Sequence, residues 1–296
     1  MSNIKKLTLE QEIELCNEYT NTKITEVDLA KKYGICSASI VNVRKRHNIS
    51  RRPKIKNNLI SCNENYFETI DSADKSYWLG FISGDGRVDQ DDNSLVIGLA
   101  IKDKSHLEKF ILNLESEHSI YEKHTTLKKT GKTYEGCILK VVRPKIIADL
   151  VKHGITQNKS KELSIPKTIP DELVKDFVRG IIDSDGCWSI DKKNTMNFSF
   201  LSSVYSFAEE ISSYLIEHCD LHKTKISQRP GCWETHWGGN IQCEKIFKHL
   251  YSNGPWLERK YKLASEHFRA YNKISGNLVI ENPKSPSELD RLLGFV

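Results

Sequence analysis

Two acids stand out by their setting. Asp85 closes the stretch WLGFISGDG at residues 78 to 86, and Asp185 closes VRGIIDSDG at residues 178 to 186. Both stretches are apolar runs with glycine at the third position, both end in Asp-Gly, and one hundred residues separate them. Each run reads as a helix that leaves its acid at the C-terminal end. There the partial negative charge of the helix disfavours a carboxylate by about 0.3 to 1 kcal/mol. Two such acids brought together repel by about 4 kcal/mol at 4 Å and an effective dielectric near 20. A cation must offset this, and carboxylate oxygens without nearby His or Cys point to Mg²⁺ or Mn²⁺, held by a few carboxylates, waters and substrate phosphates.

The same runs say how the acids could meet. Gly80 and Gly84 are four apart, hence stacked on one helix face, and Gly180 and Ser184 occupy the same places in the second run. Small residues in that register let two helices touch at their backbones, so these four residues form a candidate helix interface. Leu79, Phe81, Ile82, Val178, Ile181 and Ile182 are left to fill the cores on either side. The eighth position keeps its acid in both copies while the sixth, Ser83 in the first, does not. The eighth therefore reads as the position that matters.

The surrounding elements repeat as well. After the first Asp-Gly come the alternating stretch SLVIGLAIKD, the helical KSHLEKFILNLE, two strands within SIYEKHTTLKKTGKTYEGCILKVV, and the helical PKIIADLVKHG. After the second come MNFSF, VYSFAEEISSYLIEH, the strands KTKISQ and CWETHWG, and NIQCEKIFKHLYSNG. Leu150 matches Leu250 and Gly154 matches Gly254 at the same offset. LSIPKTIPDE lies between the units, where Pro166 and Pro170 forbid a continuous helix. The expected fold class is α+β: two αββαββα units related by a pseudo-two-fold axis, whose antiparallel sheets keep one face on helices and one open, forming a DNA-binding saddle.

The 296 residues carry a net charge of +5, unevenly placed. Residues 1 to 56 hold 12 Lys/Arg against 6 Asp/Glu, and residues 40 to 56 hold seven basic side chains and no acid. Such a concentration attracts a polyanion. The same segment reads as a small all-α domain. Leu9, Ile13, Leu15 and Cys16 have helical spacing; Thr25 caps a second helix that ends at Gly34; a third, from Ser37 or Ser39, buries Ile40 and Val43. Ser39, Asn42, Arg44 and Arg46 are expected on its outer face, with Arg51 and Arg52 following. This arrangement resembles the helix-turn-helix of resolvase-like and transcription-factor DNA-binding domains, whose last helix enters the major groove. No run of 18 apolar residues or signal-peptide pattern occurs, so neither a membrane nor export is expected and the protein reads as cytoplasmic. Eight scattered cysteines read as reduced thiols, and the spacing of Cys219, His222, Cys232 and His236 is a weak match to zinc patterns.

The paired runs WLGFISGDG and VRGIIDSDG, with matching flanks, resemble the double signature of the LAGLIDADG homing endonucleases in their single-chain form, over about residues 70 to 272. The resemblance implies that the two helices form the interface between halves, and that Asp85 and Asp185 bind divalent metal over the scissile phosphates with the carbonyls of Gly84 and Ser184. It also implies a catalytic lysine after the last helix of each half: Lys159, with Lys161 as rival, and Lys260, with Lys262 as rival. The implied activity is a metal-dependent double-strand break across the minor groove, leaving short 3′ overhangs at a long DNA site. The implied form is a monomer with double-stranded DNA as partner and no small-molecule cofactor. Candidate DNA contacts on the hairpins are Lys123, Lys140, Lys192, Lys225, Gln228 and Arg229. The expected divisions are a helix-turn-helix domain at 1–52, a basic linker at 53–69, the first half at 70–164, a connector at 165–175, the second half at 176–272 and a tail at 273–296. An intron or free-standing gene is expected over an intein, since the chain starts with Met-Ser-Asn and ends without Asn. The alternative is a non-cleaving binder on the same scaffold, an RNA maturase or a transcription regulator.

Overall fold

The computed structural model describes residues 7–22, 24–49, 60–126, 131–157 and 159–275. Arg51, Arg52 and the tail beyond 275 lie outside the described residues. The chain divides into two compact units, 1–58 and 59–296.

The first unit is three helices: α1 (Leu9–Asn21), α2 (Glu26–Tyr33) and α3 (Ser37–Arg46). Thr25 caps α2 by accepting from the Asp28 amide, and Gly34 ends it in the left-handed region at φ 63°. Leu15, Cys16, Tyr19, Leu29, Ala30, Tyr33, Ile40 and Val43 form its core. Two expectations need correction. Leu9 and Ile13 are exposed, so the buried stripe of α1 begins at Leu15. Arg44 is buried rather than outside: its guanidinium lies 4.7 Å from the Tyr19 ring centre and 3.1 Å from Glu26. A long stem with a flat, weakly hydrated head can be buried wherever an aromatic face and a carboxylate receive it.

The second unit holds the repeat. Its first half runs α4 (Ala73–Asp85), β1 (Gly86–Asp89), β2 (Ser94–Ala100), α5 (Lys104–Asn113), β3 (Ile120–Thr126), β4 (Thr133–Val142), α6 (Pro144–Lys152) and α7 (Lys159–Glu162). Its second half runs α8 (Val174–Asp185), β5 (Gly186–Ile190), β6 (Met196–Ser202), α9 (Tyr205–Cys219), β7 (Ser227–Arg229), β8 (Cys232–Gly238), α10 (Asn240–Leu250) and α11 (Glu258–Ser275). Each half builds one antiparallel four-stranded sheet in the same order, β1-β2-β4-β3 and β5-β6-β8-β7. The α+β class and the duplicated αββαββα plan are as expected.

Register sorts each sheet into two faces. Leu95, Ile97, Leu139 and Val141 point to the helices of the first half, as do Phe198, Phe200, Thr235 and Trp237 in the second. The residues between them line the open faces. β7 is shorter than KTKISQ suggests, starting only at Ser227.

α4 and α8 hold the halves together at backbone contact. A Cβ added to Gly80 would lie 2.1 Å from the carbonyl oxygen of Phe177, and one on Gly180 would lie 2.1 Å from that of Tyr77. One on Gly84 would overlap the Ser184 hydroxyl. Ser76 Oγ donates across the same seam to the Leu173 carbonyl at 2.7 Å. Gly86 and Gly186 end the two helices with extended backbones rather than left-handed ones, at φ −77° and −83°. Glycine is needed there for space, since a Cβ at either would sit 2.6 Å from the carbonyl of Ile82 or Ile182.

Replacing Gly180 by Ala must push the helices apart. Urea unfolding should show a loss of about 1 to 3 kcal/mol or more, the usual range for overpacking. Gly98→Ala, whose new carbon meets nothing nearer than 3.9 Å, should leave the midpoint almost unchanged.

Candidate active site

Because α4 and α8 touch along their length, their last residues arrive together. A Cβ on Gly84 would lie 2.8 Å from the Asp185 carboxylate, so that carboxylate packs against the end of the opposite helix. Asp85 and Asp185 keep surface open to solvent, yet protein crowds their carboxyl groups. Burial, and then the charge of Asp185, push the Asp85 carboxyl up to about 6, against the pull of Lys260 and Lys159. Asp185 is raised too, by burial, with Lys159 and Lys260 opposing.

One lysine reaches each helix end. Lys159, on α7, donates to the carbonyls of Ser83 and Gly84, the latter at 2.7 Å. Lys260, in the first turn of α11, donates to the carbonyls of Ile182 at 3.0 Å, Ser184 at 3.2 Å and Gly186. The carbonyls of Gly84 and Ser184 lie in the last turns of the two helices, so an ammonium fits there twice over, by hydrogen bond and by the helix's negative end. Burial holds both lysines below their ordinary range, offset by the acids nearby. Lys161 and Lys262 are exposed, and Lys262 lies 3.9 Å from Glu266.

The donor set at the helix ends is all oxygen: two carboxylates and the carbonyls of Gly84 and Ser184. Each carbonyl has a second lone pair beside the one its lysine uses. Hard oxygens around two carboxyls raised by burial fit Mg²⁺ or Mn²⁺, with water and phosphate completing the shell. Among the described residues no group of three or more His, Cys, Asp or Glu side chains could hold a metal ion. Cys219, His222, Cys232 and His236 therefore make no such group, and Cys219 is buried. Beside the helix ends lies a cavity of about 200 Å³, bordered by Gly84, Lys159, Asp185, Ser203, Phe207 and Cys232.

The hairpin candidates separate by register. Lys140 pairs with Val96 and Lys123 with Gly136, which places both on the open face of the first sheet. Arg87, opposite Val96, joins them, although the sequence reading passed over it. Strand alternation after Asp-Gly could have found it. Arg229 is on the open face of the second sheet but is ion-paired with Glu234 at 2.6 Å. Gln228 pairs with Trp233 and has the opposite parity. Lys192 and Lys225 are exposed outside the strands. In the three-helix unit Asn42 is exposed, Ser39 is half-buried with its hydroxyl 3.2 Å from the Cys36 sulfur, and Arg46 is exposed but paired with Glu12.

Asp183, the sixth residue of the second run, is the largest omission of the sequence reading. It is fully buried and accepts from the Tyr77 hydroxyl at 2.8 Å, the Tyr251 hydroxyl at 2.6 Å and the Leu257 amide at 2.7 Å. Burial raises its pKa, while Lys260 and the three donors oppose that rise. An acid inside an apolar helix run was itself the signal, because a buried carboxyl must have partners.

No family model and no curated protein sequence matches the chain. Among solved structures it is similar to the homing endonuclease I-WcaI bound to its DNA recognition sequence, at 16% identity and a TM-score of 0.50, covering 73% of this chain and 97% of that one. It is also similar to the LAGLIDADG meganuclease I-AabMI bound to uncleaved DNA, at 13% identity and a TM-score of 0.42, covering 73% and 96%. The N-terminal LAGLIDADG domain of DUF199/WhiA gives 13% identity and 0.41, covering 64% and 89%. At 16% identity the likeness to I-WcaI shows the fold alone.

The raised Asp85 pKa has a measurable sign. A carboxyl whose folded pKa exceeds its unfolded value, about 4, stabilises the fold below the unfolded pKa and loses that contribution as pH rises through the folded one, about 6. In thermal unfolding without divalent ions, Asp85→Asn should gain on the wild type as pH goes from 4 to 7.5. A difference that stays flat over that range would contradict the crowding described.

Proposed function

We propose that this chain, which has the fold of the LAGLIDADG homing endonucleases, is a site-specific DNA endonuclease that hydrolyses both strands with Mg²⁺ or Mn²⁺. The observation that carries this reading is the meeting of Asp85 and Asp185 at the ends of two interlocked helices, with one lysine placed at each end. A non-cleaving binder has no use for two acids whose charges are held together against desolvation.

In this reading Asp85, Asp185 and the Gly84 and Ser184 carbonyls hold the divalent ion. When bound, the ion supplies charge to the phosphate oxygens and acidifies a water. Lys159 and Lys260 keep fixed positive charge beside the reacting phosphates, where negative charge grows on the oxygens during in-line attack. Preorganised charge of this kind needs no rearrangement at the moment of reaction. Arg87, Lys123 and Lys140 on the open face of the first sheet and Lys192 and Lys225 on the second half's loops contact the backbone, a sequence-independent hold. The three-helix unit adds a flanking contact through Asn42 and Arg46, after Arg46 exchanges Glu12 for DNA, and the basic segment with Arg51 and Arg52 continues it. The protein acts as a monomer on a long duplex site, cutting across the minor groove with short 3′ overhangs.

A duplex selected from a randomised pool for binding to the Asp85→Asn, Asp185→Asn double variant provides the substrate. The wild type with Mg²⁺ should cut both strands of it. Each single Asp→Asn change should slow cleavage by about 10² to 10³-fold or more, with affinity changed only a few-fold. Tight binding by a wild type that never cuts would instead establish a non-cleaving DNA binder, and failure to enrich any duplex would end both DNA-binding readings.

A further inference from the structure

The two lysines are held differently, although the fold repeats. Lys260 is 7% exposed and rests on three carbonyls, and the loop that leads into it is gripped from α8. Arg179 and Asp183 are one helical turn apart on the same face of α8, and both are buried. Arg179 donates to the carbonyls of Leu250 and Pro255, each at 2.8 Å, and lies 2.7 Å from Asp176. Asp183 takes the Tyr251 hydroxyl and the Leu257 amide from the same loop. The loop is thus fixed at Leu250, Tyr251, Pro255 and Leu257, immediately before α11 begins.

Among the described residues α4 gives the loop before Lys159 no such grip. At the places of Arg179 and Asp183, α4 carries Leu79 and Ser83, and the Ser83 hydroxyl donates to the Leu79 carbonyl of its own helix at 2.8 Å. Lys159 rests on two carbonyls and sits on a helix of only four residues.

The first half does contribute to the grip on Lys260. Tyr77 of α4 gives its proton to Asp183, so its oxygen must accept from His106 Nε2, 2.9 Å away. That fixes the His106 proton on Nε2, as assigned from this hydrogen-bond pattern. Burial lowers the imidazole to about 3, keeping it neutral. A His–Tyr–Asp chain therefore crosses the seam and ends on the loop of Lys260.

We propose, on the premise of the nuclease reading above, that Arg179 and Asp183 are positioning residues for Lys260, and that the two half-sites consequently cut at unequal rates, the strand served by Lys260 first. A charge held in place contributes more to the transition state than one that must be brought there.

The experiment follows each strand of the selected duplex separately, with a different dye on each 5′ end, under single turnover with Mg²⁺. The wild type should pass through a nicked duplex, with the two strand rates differing by about tenfold. Asp183→Asn, and the milder Tyr251→Phe, should slow the faster strand by about that factor and leave the slower strand and the affinity within about twofold. A second readout needs neither DNA nor metal. Acylation followed by mass spectrometry should modify Lys260 of the wild type about tenfold more slowly than exposed Lys262. Both variants should open Lys260 to the reagent while Lys159 is unaltered. Equal strand rates in the wild type, variants that slow both strands alike, or Lys260 acylation that neither variant changes would each overturn the proposal. A wild type that binds but does not cut would overturn the nuclease reading, and this inference with it.

Discussion

The contact of α4 with α8 at Gly80 and Gly180 is the constraint on which everything else rests. With the carbonyl of one helix 2.1 Å from where the other's Cβ would be, any larger residue at either glycine would force the helices apart. Glycine inside a helix sacrifices about 0.5 to 1 kcal/mol relative to alanine, and that loss is accepted at the seam because the helix ends must coincide. The position of Asp85 beside Asp185 follows from the seam and not from the sheets, while α7 and α11 bring a lysine to each helix end.

Much of this was legible in the sequence. The repeat at an offset of one hundred gave the plan of both halves, and Gly154 and Gly254 hold the same left-handed turn, at φ 85° and 82°. The spacing of Gly80, Gly84, Gly180 and Ser184 revealed the interface, since it depends on local helical geometry alone. Lys159 and Lys260 reach the two helix ends from within α7 and α11, where the resemblance implied a lysine after the last helix of each half. Other features depended on partners distant in the chain. Arg44 reads as an outer-face cation until Tyr19 and Glu26 are brought to it. Leu9 and Ile13 have helical spacing, yet α1 rests on α2 and α3 through Leu15, Cys16 and Tyr19. Gln228 and Arg229 take opposite faces by strand alternation, and only the pairing register tells that Arg229 has the open one.

The error at the sixth position is more instructive. Variation between the copies, Ser83 against Asp183, suggested that the position is free. The structure shows the reverse for the second copy, where the acid is a buried hub with three donors. Two copies of a motif in one chain need not carry the same duties. A buried carboxylate is held in place by what surrounds it, and removing one partner leaves a charge or a dipole unmet at a cost of about 1 to 3 kcal/mol.

The crossing from Tyr77 to Asp183 also encodes which half may pair with which. A copy of the second half set against itself would present Phe177 where Tyr77 stands, and Asp183 would lose one of its three donors while keeping Tyr251 and Leu257. The first half against itself would present the Tyr77 hydroxyl to Ser83, whose own proton is committed to Leu79. The mixed pair joins Asp183 to the opposite helix through the Tyr77 hydroxyl. The glycines permit like to meet like, and the one hydrogen bond from Tyr77 to Asp183 favours the unlike pair.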